Sequence, residues 1–177
     1  MLRLLAMTIY LFSLGSSPAQ AVAIEYKTHS FSIDFPKGWK EVRDFFGVPV
    51  SILGPFQTNQ SRPVIQIVPT TQKAIEFTSA EVAKWNENHK ANTEKWMSKH
   101  GGRLQSLVPG VVEVRKDGTR QLVGGLLYQL HAKSFIEKIY YISCPKGLYN
   151  IKILVNQGSK EFLQSAEKIV GSFKCGK

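Results

Sequence analysis

The sequence predicts an α+β protein, a mainly antiparallel sheet with helices packed over it. Three observations carry that expectation. The stretch Phe31-Ser-Ile-Asp-Phe-Pro-Lys-Gly-Trp39 alternates apolar and polar side chains at the period of a half-buried strand, then turns on Pro36 and Gly38 so that Trp39 folds back onto the face just made. Thr78 and Glu81 form a capping box ahead of a long helical segment that Gly101 and Gly102 stop. From Arg103 to Val155 the chain is a series of apolar runs separated by Pro and Gly turns, and a helical stripe closes it. Strands, one long helix, more strands and a last helix add up to α+β.

In chain order, the first 21 residues read as a secretory signal. Arg3 is the basic start, Leu4 to Leu14 the apolar run, and Ala19-Gln-Ala21 the small-residue exit, with cleavage expected after Ala21. The apolar run is short for a bilayer span, and no later segment approaches the roughly 20 apolar residues that a membrane helix needs. The expected mature protein is soluble, periplasmic or secreted, and its 156 residues, 22–177, fit one domain. The 23 basic and 13 acidic side chains lose one basic residue with the signal, leaving a formal +9. That charge favours a protein partner or an anionic component of the envelope. No nucleic acid is expected, because the basic residues are scattered and lack the aromatic strand signature of the common RNA readers. The sequence leaves the oligomeric state open.

Ile24 to Thr28 reads as a first strand, paired through His29 and Ser30 with the Phe31 strand. Trp39 to Phe46 reads as a corner with a helical turn. Val48 to Leu53 follows as a strand whose Pro49 suits an edge or a strand start, Gly54 to Pro63 is loop, and Val64 to Val68 is a buried strand ended by Pro69. The long helix is expected from Ser79 to His100. After it come Arg103 to Val108, a turn at Pro109-Gly110, Val111 to Arg115, a turn at Lys116-Asp-Gly118, Arg120 to Lys133, Lys138 to Cys144, a turn at Pro145-Lys-Gly147, and Leu148 to Val155. Gly124-Gly125, inside the long middle strand, is expected to mark a bulge or bend. Ser159 to Phe173 is the closing helix, with Phe162, Ala166, Ile169, Val170 and Phe173 on one stripe.

Cys144 and Cys175 are the only cysteines, and an even count in an exported chain favours a disulfide between them; two thiols or an intermolecular bridge are the alternatives. Neither cysteine has a neighbour that would activate it. The four histidines and scattered serines show no Gly-x-Ser-x-Gly, and the carboxylates cannot be paired from sequence, so no catalytic residue is assigned. No metal ligand or cofactor is expected. His89 and His100, 11 residues apart on one helix, stand about 16 Å from each other along its axis, too far to share an ion.

The helix has one further feature. Lys84-Trp85-Asn-Glu-Asn-His89 and Lys95-Trp96-Met-Ser-Lys-His100 repeat at a spacing of nearly whole turns, so Trp85, His89, Trp96 and His100 fall on one stripe. As a seam, that stripe packs on the sheet through Val82, Trp85 and Trp96, covers both indoles, and is looser around His89, Asn92 and Thr93. As a platform, it binds a glycan or a partner. The seam is the favoured reading, because indoles are usually mostly buried.

The Phe31 to Trp39 entry, the signal, the long central helix, the meander and the closing Ala166-Glu-Lys-Ile-Val-Gly-Ser-Phe173 together resemble the PsbP/Mog-like family, and within it the exported DcrB-type envelope proteins of bacteria. The resemblance implies an antiparallel sheet sandwiched by helices, and proteins that bind or assist other proteins without catalysis. It carries over no functional residue. The expected function is therefore that of an exported, soluble, non-enzymatic binding or assembly and accessory protein of the bacterial cell envelope. The alternatives are an inhibitor or immunity-type protein, and an envelope hydrolase whose His131 meets a carboxylate only in three dimensions.

Overall fold

Among the described residues ten strands and two helices follow in the order β1 to β5, α1, β6 to β9, α2, β10, most of the strands carrying apolar residues at every second position. The structure, a computed structural model, describes residues 20–26, 29–56 and 61–176. Most of the expected signal, 1–19, lies outside the described residues, as do 27–28 of the first expected strand and 57–60 of the first expected loop. β1 (Gln20–Tyr26) begins two residues ahead of the expected cleavage point and pairs antiparallel with β2 (His29–Phe35).

β2 also pairs with the short β10 (Lys174–Cys175), giving a three-stranded sheet. The second sheet has seven strands in the order β3-β4-β5-β9-β8-β7-β6, antiparallel throughout. Its members are β3 (Lys40–Phe45), β4 (Val48–Leu53), β5 (Val64–Pro69), β6 (Gly102–Val114), β7 (Arg120–Leu130), β8 (Lys133–Cys144) and β9 (Gly147–Asn156). α1 (Ser79–Lys99) covers one face near the β6 edge, and α2 (Lys160–Gly171) packs with the small sheet on the other. The α+β expectation, a mainly antiparallel sheet with helices on both sides, is what the chain forms.

The principal core lies under α2. Ile52, Ile65, Ile67, Ile142, Ile151 and Ile153, from the large sheet, meet Ile33 of β2 and Ala166, Ile169 and Val170 of α2, all buried. Phe173, just past the helix, stacks on Phe31 at 5.2 Å and meets Tyr149 edge-on at 5.1 Å. Each such ring pair is worth about 0.5 to 1.5 kcal/mol beyond the area it buries. Trp39 is buried in the same core as the sequence requires, its N–H closing the Pro36 turn at 3.2 Å and Gly38 supplying φ +96°.

Arg115 fastens α2 to the end of β6. Its guanidinium donates to the carbonyls of Val170 (3.4 Å), Gly171 (3.1 Å) and Phe173 (2.6 Å) and to Gln121 Oε1 (3.1 Å), satisfying acceptors that a helix C-terminus leaves open. A Cys144–Cys175 disulfide, with Cα atoms 5.6 Å apart, ties the end of β8 to β10 across a separation of 31 residues.

Several sequence expectations are corrected. Residues 40–45 form an edge strand, without a helical turn; most of its side chains are exposed, so no apolar period marks it. β4 is consequently an interior strand, with Pro49 at its start as the sequence allows, facing Asp44, which the ladder leaves unmatched between Arg43↔Val50 and Phe45↔Val48. Pro69 does end β5, as its last residue, paired with Tyr149. Pro109-Gly110 makes no turn: β6 runs through it with register shifts at Leu104/Ser106 and Val108/Val111. The β7–β8 turn comes at His131-Ala132, where His131 has φ +53°, so 133–137 belong to β8. Gly124-Gly125 pairs with β8 in unbroken register, and the bulge lies opposite, in β6.

Candidate functional site

α1 starts on the expected box, with Glu81 N–H donating to Thr78 Oγ1 (3.3 Å) and Thr78 N–H to Glu81 Oε2 (2.7 Å). The helix is polar for most of its circumference. It meets the sheet through Val82, Trp85, Asn86, His89, Thr93 and Met97, the i, i+3, i+4 spacing of a single face, yet only Met97 is buried.

Trp85 is seated on bare backbone. A methyl added at Gly110 or Gly124 would lie 2.8 Å from its indole, so both glycines are required for the ring to reach the sheet. Tyr141 meets the ring edge-on at 5.9 Å. Asn86 holds the same place from the next position, accepting from Gly110 N–H at 2.6 Å and donating to Gly110 O at 3.4 Å. His89 stacks on Trp85 at 4.5 Å, half-buried, with Nε2 shielded from solvent and without a hydrogen-bond partner. Burial, and then the nearby Lys152, hold its pKa below the usual imidazole value. Asn150 on β9 donates to Tyr141 Oη at 3.2 Å, but its Oδ1 is also buried and unpartnered; Lys152 pairs with Glu137 at 3.3 Å. The middle of α1 therefore lies over the polar side chains of Asn150 and Lys152.

Trp96 departs from expectation. Its indole is 43% exposed, and the neighbouring Met97 enters the core with Leu126, Tyr128 and Ile139. Met97 wins because Gly102 leaves room for its sulfur, which a methyl there would approach to 2.7 Å. Trp96 lies stacked with His100 at 4.4 Å and edge-on to Tyr128 at 6.4 Å, and Tyr128 stacks on Phe135 at 5.5 Å. The His100 ring is fixed by its Nδ1, 2.8 Å from Trp96 O. A carbonyl only accepts, so Nδ1 carries the proton and Nε2 of the neutral ring is an acceptor. Trp96, His100, Tyr128 and Phe135 thus make a semi-rigid aromatic ledge at the C-terminal end of α1. The sequence stripe brings Trp85 with His89 and Trp96 with His100, as two separate stacks.

Other candidates do not converge. Among the described residues no three His, Cys, Asp or Glu side chains gather as a metal site. His131 is exposed in the β7–β8 turn. An open cleft of about 630 Å³ beside the end of α2 is lined by Arg115, Lys116, Lys168 and Lys174 together with Glu113 and Asp117. Arg115 was not singled out from sequence; its only signal is its place just ahead of the Lys116-Asp-Gly118 turn.

No protein-family model matches the chain, and no characterised protein matches it in sequence. Solved structures do match it in shape. The cyanobacterial PsbP (CyanoP) of Synechocystis sp. PCC 6803 superposes with a TM-score of 0.60 at 10% identity, over 92% of this chain and 96% of that one. LpqN of Mycobacterium tuberculosis, described as involved in cell envelope biogenesis, gives 0.57 at 14% identity, over 90% and 92%. The chain thus has the PsbP-like fold, an antiparallel sheet between helices.

Proposed function

We propose that the protein is an exported, non-enzymatic binding or accessory protein of the bacterial cell envelope, and that it meets its partner with the Trp96–His100 end of α1. The signal-like N-terminus and the disulfide support export. Among the described residues no helix is long and apolar enough to cross a membrane. The likeness in fold to LpqN agrees with a place in the envelope.

The observation that carries the reading is the ledge. An indole 43% exposed, stacked on an imidazole that its own helix carbonyl fixes, is a large contact surface with little motion left to lose on binding. Trp is also, with Tyr and Arg, among the residue types enriched where binding energy concentrates. The test is Trp96→Ala, assayed by capture of envelope extract with mass-spectrometric identification of what is retained, beside urea unfolding. The variant should unfold within about 1 kcal/mol of wild type, because the ring is half exposed, and should lose the species that wild type retains. An unchanged retained set would refute the ledge as the contact surface.

A further inference from the structure

The β3–β4 hairpin ends in an unusual way. Phe45 pairs with Val48, so Phe46 and Gly47 are the two central residues of the turn, and both have positive φ, +49° and +77°. That geometry belongs to Asn-Gly or Asp-Gly turns; a bulky aromatic is disfavoured there. The Phe46 ring gains no burial in return. It is 90% exposed and touches Phe45, itself 36% exposed, edge-on at 4.6 Å. The fold thus holds an aromatic pair at the tip of a convex projection, in a backbone state that Asn would occupy more readily.

The same end of the seven-stranded sheet carries the 70–78 segment after β5, the β6–β7 and β8–β9 turns and the C-terminus of α2. These bring exposed Lys73, Lys116, Arg120, Lys146, Lys168 and Lys174 to that end, against Asp44, Glu76, Glu113 and Asp117. Asp117 is already engaged, accepting from Thr119 N–H at 3.0 Å and 3.9 Å from Arg115 Nε. At a strand spacing of about 4.8 Å, the β8–β9 turn lies about 14 Å and the β6–β7 turn about 24 Å from the hairpin across the sheet. One footprint therefore joins a protruding aromatic pair to a predominantly basic rim.

We infer that the Phe45–Phe46 tip docks this end of the sheet on the interface of an anionic lipid bilayer. A convex apolar tip fits a deformable surface, and the basic rim of a chain of net charge +10 complements lipid phosphate. Because α1 begins at this end and finishes at the other, docking would hold the Trp96–His100 ledge away from the lipid.

The experiment is sedimentation with vesicles of phosphatidylglycerol mixed with phosphatidylcholine, against phosphatidylcholine alone, with every protein sharing one N-terminus. Wild type should sediment with the anionic vesicles and release as salt rises. Phe46→Asn, which suits positive φ, should keep or raise the melting temperature and cut partitioning about ten-fold, the scale of one aromatic ring removed from water. Phe46→Trp should retain binding, with its added indole emission moving to the blue on anionic vesicles. Equal sedimentation of wild type and Phe46→Asn would overturn the inference, as would wild type that ignores anionic vesicles. Loss of a captured envelope protein by Phe46→Asn, with no vesicle binding by wild type, would assign the tip to a protein contact and overturn it too.

Discussion

Gly124→Ala tests how α1 is held to the sheet. The added methyl would sit 2.8 Å from Cη2 and 3.1 Å from Cζ3 of Trp85, and 3.3 Å from Cα of Gly110. Carbon atoms rest at about 3.5 to 4.0 Å, so the indole must retreat by roughly 1 Å and loosen its contacts with His89 and Tyr141. Overpacking of this kind costs about 1 to 3 kcal/mol. Replacing Gly with Ala returns about 0.4 to 1 kcal/mol by restricting the unfolded chain, so the net loss should be about 1 to 2 kcal/mol. In a Trp85→Ala background the indole is gone, and the gain is opposed only by the 3.3 Å approach to Gly110 Cα. The double-mutant cycle should then report a coupling of about 1 to 3 kcal/mol. Urea unfolding followed by far-ultraviolet circular dichroism is the assay, because Trp85 contributes to fluorescence. An equal cost of Gly124→Ala in both backgrounds would show that the indole does not rest on Gly124.

Two further outcomes are expected. Reducing the Cys144–Cys175 bridge should lower stability by at most about 3 to 4 kcal/mol, the loop-closure figure for a 31-residue separation, read from urea midpoints with and without reductant. His89 has a folded pKa below its unfolded value, so the unfolded chain takes up the proton first. Its contribution is fully present above the unfolded pKa of about 6.5 and is lost as pH falls below it towards the folded pKa. Melting temperatures from pH 7 to 5 should therefore fall more steeply for wild type than for His89→Gln, and parallel profiles would count against a buried neutral imidazole.

Most of the sheet was legible because its strands bury one face and so display period two: Phe31 and Ile33, Ile65 and Ile67, Ile151 and Ile153. β3 was missed where that contrast fails, since an edge strand with exposed side chains has no apolar face to read. Pro109-Gly110 misled for a different reason. Pro and Gly permit a turn, but at a sheet edge the missing N–H costs nothing, and the absent Cβ of Gly110 admits Trp85 from another element. The stripe on α1 was found from its spacing; that each His stacks on its Trp was not. Which indole is covered depended on Met97 and Gly102, a contact between a helix and the next strand that spacing within the helix does not record. The Cys144–Cys175 pairing was legible from count and compartment alone; the Arg115 clamp, made of side chain to backbone bonds 55 to 58 residues away, was not.

β6 is thirteen residues long and lies at the rim of the large sheet, with Val108, Val111 and Val114 exposed along it. A long apolar rim strand is a template on which another chain can add itself. The register shifts divide this one into Gly102–Leu104, Ser106–Val108 and Val111–Val114, so no regularly paired run exceeds four residues, and Pro109 removes a donor between the last two. A second strand laid along that rim would lose step after a single turn of the pleat. The irregularity that lets Trp85 approach the sheet at Gly110 thus also guards the rim against growth, and straightening β6 for better packing would remove both at once.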